Sequence, residues 1–201
     1  MAGHAERPVA WRRDLRGVRV GVPFEKLDST AGLSADCAAA FDGALDCLRA
    51  AGAEIVDIPM DEVFPLLSAQ LVTMLAEAFE AYRDDLRRRW SEFSRPFRRL
   101  VVLGGMVTAA TYVHAQRVRR MGADRLRARL DEVTVIATPT WPTTAARYDD
   151  PGALQAVSWL PGVWSAVGFP AVAVPMGFGS DGLPLSLQLA GRPGADFVVA
   201  A

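Results

Sequence analysis

Along the chain, short β-branched runs alternate with long stretches in which apolar residues recur every three or four positions. Residues 18–22 read VRVGV and stop at Pro23, the mark of a short buried strand. A turn-rich loop is predicted over 28–34. Ser34 then caps a helix to about Ala51, with Cys37, Phe41, Leu45 and Leu48 on one face and Gly52 just past its end. Residues 54–58 form a second strand, halted by Pro59. Strand, helix and strand in this order predict a right-handed unit with parallel strands.

The next region is helical. Leu67, Leu71, Met74, Leu75, Ala78, Phe79, Tyr82 and Leu86 follow helical spacing, and the charged run 83–89 reads as its solvated end, with an anion-binding patch as the alternative. Pro96 breaks the pattern, and another helix is predicted from about Met106 to Leu130. A strand over 133–137 leads into a rigid extended exit, Thr138-Pro139-Thr140-Trp141-Pro142. After a loop over 143–157 come a short helix over 159–167, ending at Gly168, and two strands, 172–176 and 185–189. The fold predicted is α/β, a mixed β-sheet flanked by helices.

Composition narrows the partners. The 201 residues carry 22 Lys and Arg against 23 Asp and Glu, a net charge of −1, which gives no global field toward nucleic acid or anionic lipid. Hydrophobic residues make up 51% and mean hydropathy is +0.15, with no apolar run of spanning length expected and no signal-like N-terminus. Cys37 and Cys47 share one helix and lie about 15 Å apart by helical rise, too far for a bridge. Reduced thiols fit a cytoplasmic location.

The motifs that suggest chemistry mostly dissolve on inspection. Residues 177–182, GFGSDG, match the dinucleotide pattern GxGxxG, but a strand follows where a helix N-terminus would have to meet the pyrophosphate, so a hairpin turn with glycines at positive φ is the reading. A nucleotide-binding α/β domain is thereby a lesser alternative. His4 and His114 have no neighbour at ligand spacing, so no metal and no cofactor is expected. No G-x-S-x-G is present. The single lysine, Lys26, beside Glu25, reads as an exposed loop residue.

Five segments together resemble the C-terminal part of amidase-signature hydrolases: 15–23 (LRGVRVGVP), 51–56 (AGAEIV), the helical residues Glu77, Ala78, Tyr112, Ala115, Gln116 and Arg117, 135–142 (VIATPTWP), and above all 168–178 (GFPAVAVPMGF) running on through 181–184 (DGLP) to 188–193 (QLAGRP). The resemblance covers residues 15–193. It divides the chain into an extended lead-in, 1–16, and a C-terminal portion of an amidase-like α/β domain, 17–201.

That family cleaves or transfers amides through an acyl-enzyme. Its nucleophilic serine is activated by a second serine on a cis peptide bond and a lysine, and backbone N–H groups form the oxyanion hole. These residues lie upstream of the segment that 15–23 resembles. The present sequence contains no Ser-Ser pair and no Gly-Gly-Ser-Ser run, and Lys26 falls downstream of the family's lysine. No catalytic residue carries over, and the resemblance implies a chain inactive alone. What it implies instead is one wall of a substrate pocket, at Thr138, Pro139, Thr140, Trp141, Trp164 and Ser165. Ser165 stands where the family commonly has asparagine, and Ser186 where it has glycine. The partner implied is a complementary N-terminal half, or a second copy through strand edges left open at 18–22, 133–137 and 172–189, with no nucleic acid and no membrane. A non-catalytic interaction module and a truncated gene product are the alternatives.

Overall fold

The computed structural model describes residues 14–147, 149 and 159–200. Most of the lead-in, with His4, and most of the loop 143–157 lie outside the described residues. Five strands form one sheet in the order β2-β1-β3-β5-β4: β1 (Arg19–Val22), β2 (Glu54–Asp57), β3 (Val135–Pro139), β4 (Ala171–Phe178) and β5 (Pro184–Ala190). β1 runs parallel to both β2 and β3, with Arg19 opposite Glu54 and Val20 opposite Val135. β5 is antiparallel to β3 and β4, so the sheet is mixed as expected.

The open edges differ from the expectation. β1 lies between β2 and β3, and β3 between β1 and β5, so neither has a free edge. Among the described residues only β2 and β4 do. The outer strand β4 carries Pro175 and a register shift between Pro175 and Gly177, features that blunt an edge against pairing.

The helices are α1 (Phe24–Lys26), α2 (Ala35–Ala50), α3 (Val63–Arg88), α4 (Arg95–Gly104), α5 (Ala109–Glu132), α6 (Trp159–Val167) and α7 (Asp196–Ala200). Where a loop over 28–34 was expected, α1 continues as a π-helical turn over Leu27–Ala31. The Ser29 and Thr30 hydroxyls donate to the carbonyls of Glu25 and Lys26, at 2.7 and 2.6 Å, and Gly32 ends the turn in the left-handed region. Polar side chains that read as loop formers here brace a helical turn instead. α2 begins as predicted, with Cys37 N–H donating to the Ser34 hydroxyl, a cap worth about 1 kcal/mol. Cys37, Phe41 and Leu45 are its buried face.

Pro96 starts a helix instead of breaking one. It occupies the first turn of α4, where a missing N–H costs nothing, and the Ser94 hydroxyl caps that turn. α5 then begins at Ala109, with Thr111 N–H donating to Thr108. The crossing of α3 and α4 is close: a Cβ on Gly104 would stand 1.9 Å from the Leu75 carbonyl oxygen. Contrary to the expectation that every apolar run is short, α3 is long and apolar enough, by length and composition, to cross a bilayer. In this fold it packs against α4, α5 and α6. β3 also starts and ends later than expected, and all five of its residues are buried, so Thr138 and Pro139 belong to the sheet and not to its exit.

The core runs along the sheet under these helices. Val20, Val22 and Ile136 from the strands meet Leu45, Leu66, Leu126 and Leu160 from the helices, all essentially inaccessible. Burying each such side chain contributes about 1.5–3 kcal/mol.

Candidate functional site

β5 is apolar except for Ser186 and Gln188, and Gln188 is buried between Leu187 and Leu189. Its placement organises the site. Gln188 stands opposite Thr138 on β3 and Ala173 on β4. Its Nε2 donates to the Leu160 carbonyl oxygen of α6 at 2.9 Å and to Thr138 Oγ1 at 3.3 Å. The side chain thus ties the sheet to α6, and with both amide hydrogens engaged only its Oε1 remains to accept.

A cavity of ≈ 550 Å³ opens beside it, lined among others by Trp164, Ser165, Phe169, Ala171, Gln188 and Asp196. Trp164 is buried, and its Nε1–H has no hydrogen-bond partner among the described residues. A buried donor without an acceptor costs about 1–3 kcal/mol. Ser165 is exposed, with its hydroxyl donating weakly back to the Pro161 carbonyl oxygen at 3.4 Å.

The six residues singled out by resemblance separate into two groups. Trp164 and Ser165 line the cavity. Thr138 reaches it only through Gln188, and Pro139 is buried in β3 opposite Leu187. Thr140 donates its N–H to the Ser186 carbonyl oxygen at 2.8 Å, while its hydroxyl oxygen is buried without a partner among the described residues. The Trp141 carbonyl oxygen accepts from Cys37 Sγ at 3.4 Å, and the Pro142 carbonyl oxygen accepts from Ser34 N–H, which docks the exit from β3 on the start of α2. Gln188 and Asp196 were not among the expected site residues. The signal for Gln188 was legible as a lone amide in an apolar strand, whereas nothing in the sequence links Asp196 to the cavity.

The 177–182 motif joins β4 to β5 as a hairpin, with Gly182 N–H donating to the Gly179 carbonyl oxygen. Positive φ falls at Gly177 and Gly182, while a Cβ on Gly179 would stand 2.6 Å from the Thr144 methyl, which would have to shift. Lys26 is half-buried at the end of α1 and not in a loop, its Nζ 5.6 Å over the Phe64 ring. Cys37 and Cys47 are both free. Burial pushes the Cys37 thiol up to about 11. Among the described residues no group of three His, Cys, Asp or Glu is placed to hold a metal ion.

Fold and site together define an α/β protein with a mixed five-stranded sheet, whose last hairpin carries a buried glutamine beside a tryptophan-lined cavity. The amidase family model matches residues 6–199, and the chain belongs to the amidase-signature family. It is 35% identical over 208 residues to the glutamyl-tRNA(Gln) amidotransferase A-subunit of Roseiflexus castenholzii, covering 89% of this chain and 41% of that protein. The Prosthecochloris aestuarii protein of the same name is 32% identical over 206 residues, with 89% and 43% covered. Among solved structures, one described as an amidase superposes with a TM-score of 0.84 at 22% identity, over 95% of this chain and 45% of that one. The Thermotoga maritima glutamyl-tRNA(Gln) amidotransferase A-subunit superposes with a TM-score of 0.69 at 27% identity, over 92% and 41%. The chain therefore spans less than half the length of these relatives.

Proposed function

We propose that these residues form the C-terminal part of an amide-bond hydrolase or amidotransferase, and that they supply a pocket wall while a complementary N-terminal portion supplies the nucleophile, its serine relay and its lysine. One observation carries this reading: the family match fills residues 6–199, yet the 89% of the chain that aligns with the Roseiflexus relative covers only 41% of that protein. The chain also holds no adjacent serine pair with which to build a serine relay. Trp164, Ser165, Gln188 and Asp196 form the wall, with Thr138 supporting it from β3 and Thr140 from just beyond that strand. The cavity is open on one side, where substrate or the complementary portion would approach.

In this role the chain positions and encloses, and bond cleavage belongs to the complementary portion. The partner in this reading is that complementary portion, with self-association as the competing outcome. The test is co-expression of this chain with the N-terminal half of an amidase-signature relative. Amide hydrolysis from the pair, with none from either half, supports the reading. A pair that forms a complex but stays inert opposes it.

A further inference from the structure

Although the chain is nearly neutral, its charge is not evenly spread. Residues 83–99 hold seven arginines and three acids, a local excess of four positive charges. The acids are committed to one side of this segment: Asp84 faces Arg87 at 3.7 Å, Asp85 faces Arg89 at 3.4 Å, and Glu92 faces Arg89 at 3.8 Å. Arg95 and Arg99 on α4 have no ion-pair partner among the described residues. Arg98 is held in place, its guanidinium 4.9 Å over the Trp90 ring and donating to the Trp90 carbonyl oxygen at 3.1 Å. The first turn of α4 contains no acid and opens with Arg95, so cationic side chains reinforce the positive end of the helix dipole.

α4 buries Val101 and Gly104, packs Phe97 against Tyr82 of α3, and leaves Arg95, Arg99, Leu100 and Leu103 exposed. Two depressions flank the ridge made by Arg95 and Arg99. One, ≈ 430 Å³, is lined by Trp90, Arg95, Arg98, Arg99 and Val102, and the other, ≈ 350 Å³, by Arg95, Pro96, Arg99, Leu100 and Leu103. Leu100 and Leu103 are 43% and 51% exposed. Both depressions are shallow and open to solvent, they share Arg95 and Arg99, and only the second has an aliphatic flank, Leu100 and Leu103.

We propose that this face of α4 binds a single anionic amphiphile, its phosphate or carboxylate head held by Arg95, Arg98 and Arg99 and its aliphatic tail laid along Pro96, Leu100 and Leu103. Charge complementarity decides among the occupants. A second copy would set one arginine cluster against another. A purely polar polyanion would leave the leucines in water. Guanidinium pairs match the planar and tetrahedral oxyanions of carboxylate and phosphate, and the leucine flank matches an alkyl chain.

Titration calorimetry on the full chain tests it with octyl phosphate kept below its micelle concentration. The expected result is saturable one-to-one binding, with inorganic phosphate and the uncharged octyl glucoside each weaker by about tenfold or more. The exposed double variant Arg95→Gln/Arg99→Gln should lose about tenfold or more in affinity for octyl phosphate at an unchanged melting temperature. Leu103→Ser should weaken octyl phosphate and leave inorganic phosphate unchanged. The proposal is overturned by no binding of octyl phosphate, by equal binding of octyl glucoside, or by an undiminished double variant. Saturation seen only with phosphatidylglycerol vesicles, or only with single-stranded RNA, would overturn it in favour of a bilayer or nucleic-acid surface.

Discussion

Asp36 Oδ2 accepts two hydrogen bonds from Ser180, one from its N–H and one from its hydroxyl, each at 2.7 Å. The contact joins residues 144 positions apart, and it fixes the β4–β5 hairpin to the first turn of α2. The Ser180 N–H, and then its hydroxyl, hold the Asp36 carboxyl below the usual carboxylate range. A lowered folded value means that the contribution is present above the unfolded value of about 3.9 and is lost as pH falls through the folded one. Asp181, which accepts from the Thr144 hydroxyl and from Leu183 N–H, is lowered in the same direction. Protection of the Ser180 amide, its exchange relative to the unstructured rate at the same pH, should therefore be high at neutral pH and fall on acidification below about pH 4. Asp36→Ala should show low protection at both pH values, measured by hydrogen exchange with NMR detection.

Gly104 tests the helical layer. Its missing Cβ lets α4 lie directly on the Leu75 carbonyl of α3, where backbone cannot move aside. Gly104→Ala should destabilise the chain by about 1–3 kcal/mol, despite alanine's better helix propensity. Gly43→Ala in α2, where nothing stands within 4 Å of the added atom, should be neutral or stabilising. Urea unfolding of the two variants measures the contrast.

Much of this architecture was legible in the sequence. The period-two runs at Val20 and Val22, the Ser34 cap with Gly52 beyond the helix, and the glycine-bounded hairpin are local signals, and the structure contains all three. Less legible were local signals that admit two readings, and contacts between residues far apart in the chain. Pro96 read as a breaker because its place in a first turn is visible only once the Ser94 cap is seen. Ser29 and Thr30 read as loop because their hydroxyls bond backward to carbonyls of a turn that periodicity does not reveal. In the candidate site, the resemblance identified Trp164 and Ser165, which do line the cavity, and Thr140 and Trp141, which dock on β5 and α2 instead. Asp196 reaches the cavity because α7 packs back against β4, a tertiary fact with no sequence signature.

Gln188 links the cavity to stability. Gln188→Met keeps the volume but leaves the fully buried Thr138 hydroxyl without its amide partner. Thermal or urea unfolding should show a loss of about 1–3 kcal/mol. Thr138→Val in the Gln188→Met background should recover part of that loss, because it removes the stranded hydroxyl.

The two thiols should differ sharply. Cys37 is buried under the exit from β3, with its thiol raised to about 11, while Cys47 is exposed. Iodoacetamide at pH 8 should modify Cys47 first, and Cys37 only on unfolding. A thiol raised in the folded state stabilises fully below its unfolded value of about 8.5 and loses that contribution as pH rises through about 11. Stability should thus decline in this alkaline window, and Cys37→Ala should flatten the decline.

The claim on which the account rests is that these residues furnish a pocket wall and no acylating serine. Intact-mass spectrometry of the folded chain after treatment with a fluorophosphonate, which phosphonylates activated serines, tests it directly. The account predicts the unmodified mass for this chain alone and a single adduct on the complementary portion when the two are combined. A stoichiometric adduct on any serine of the isolated chain would contradict it.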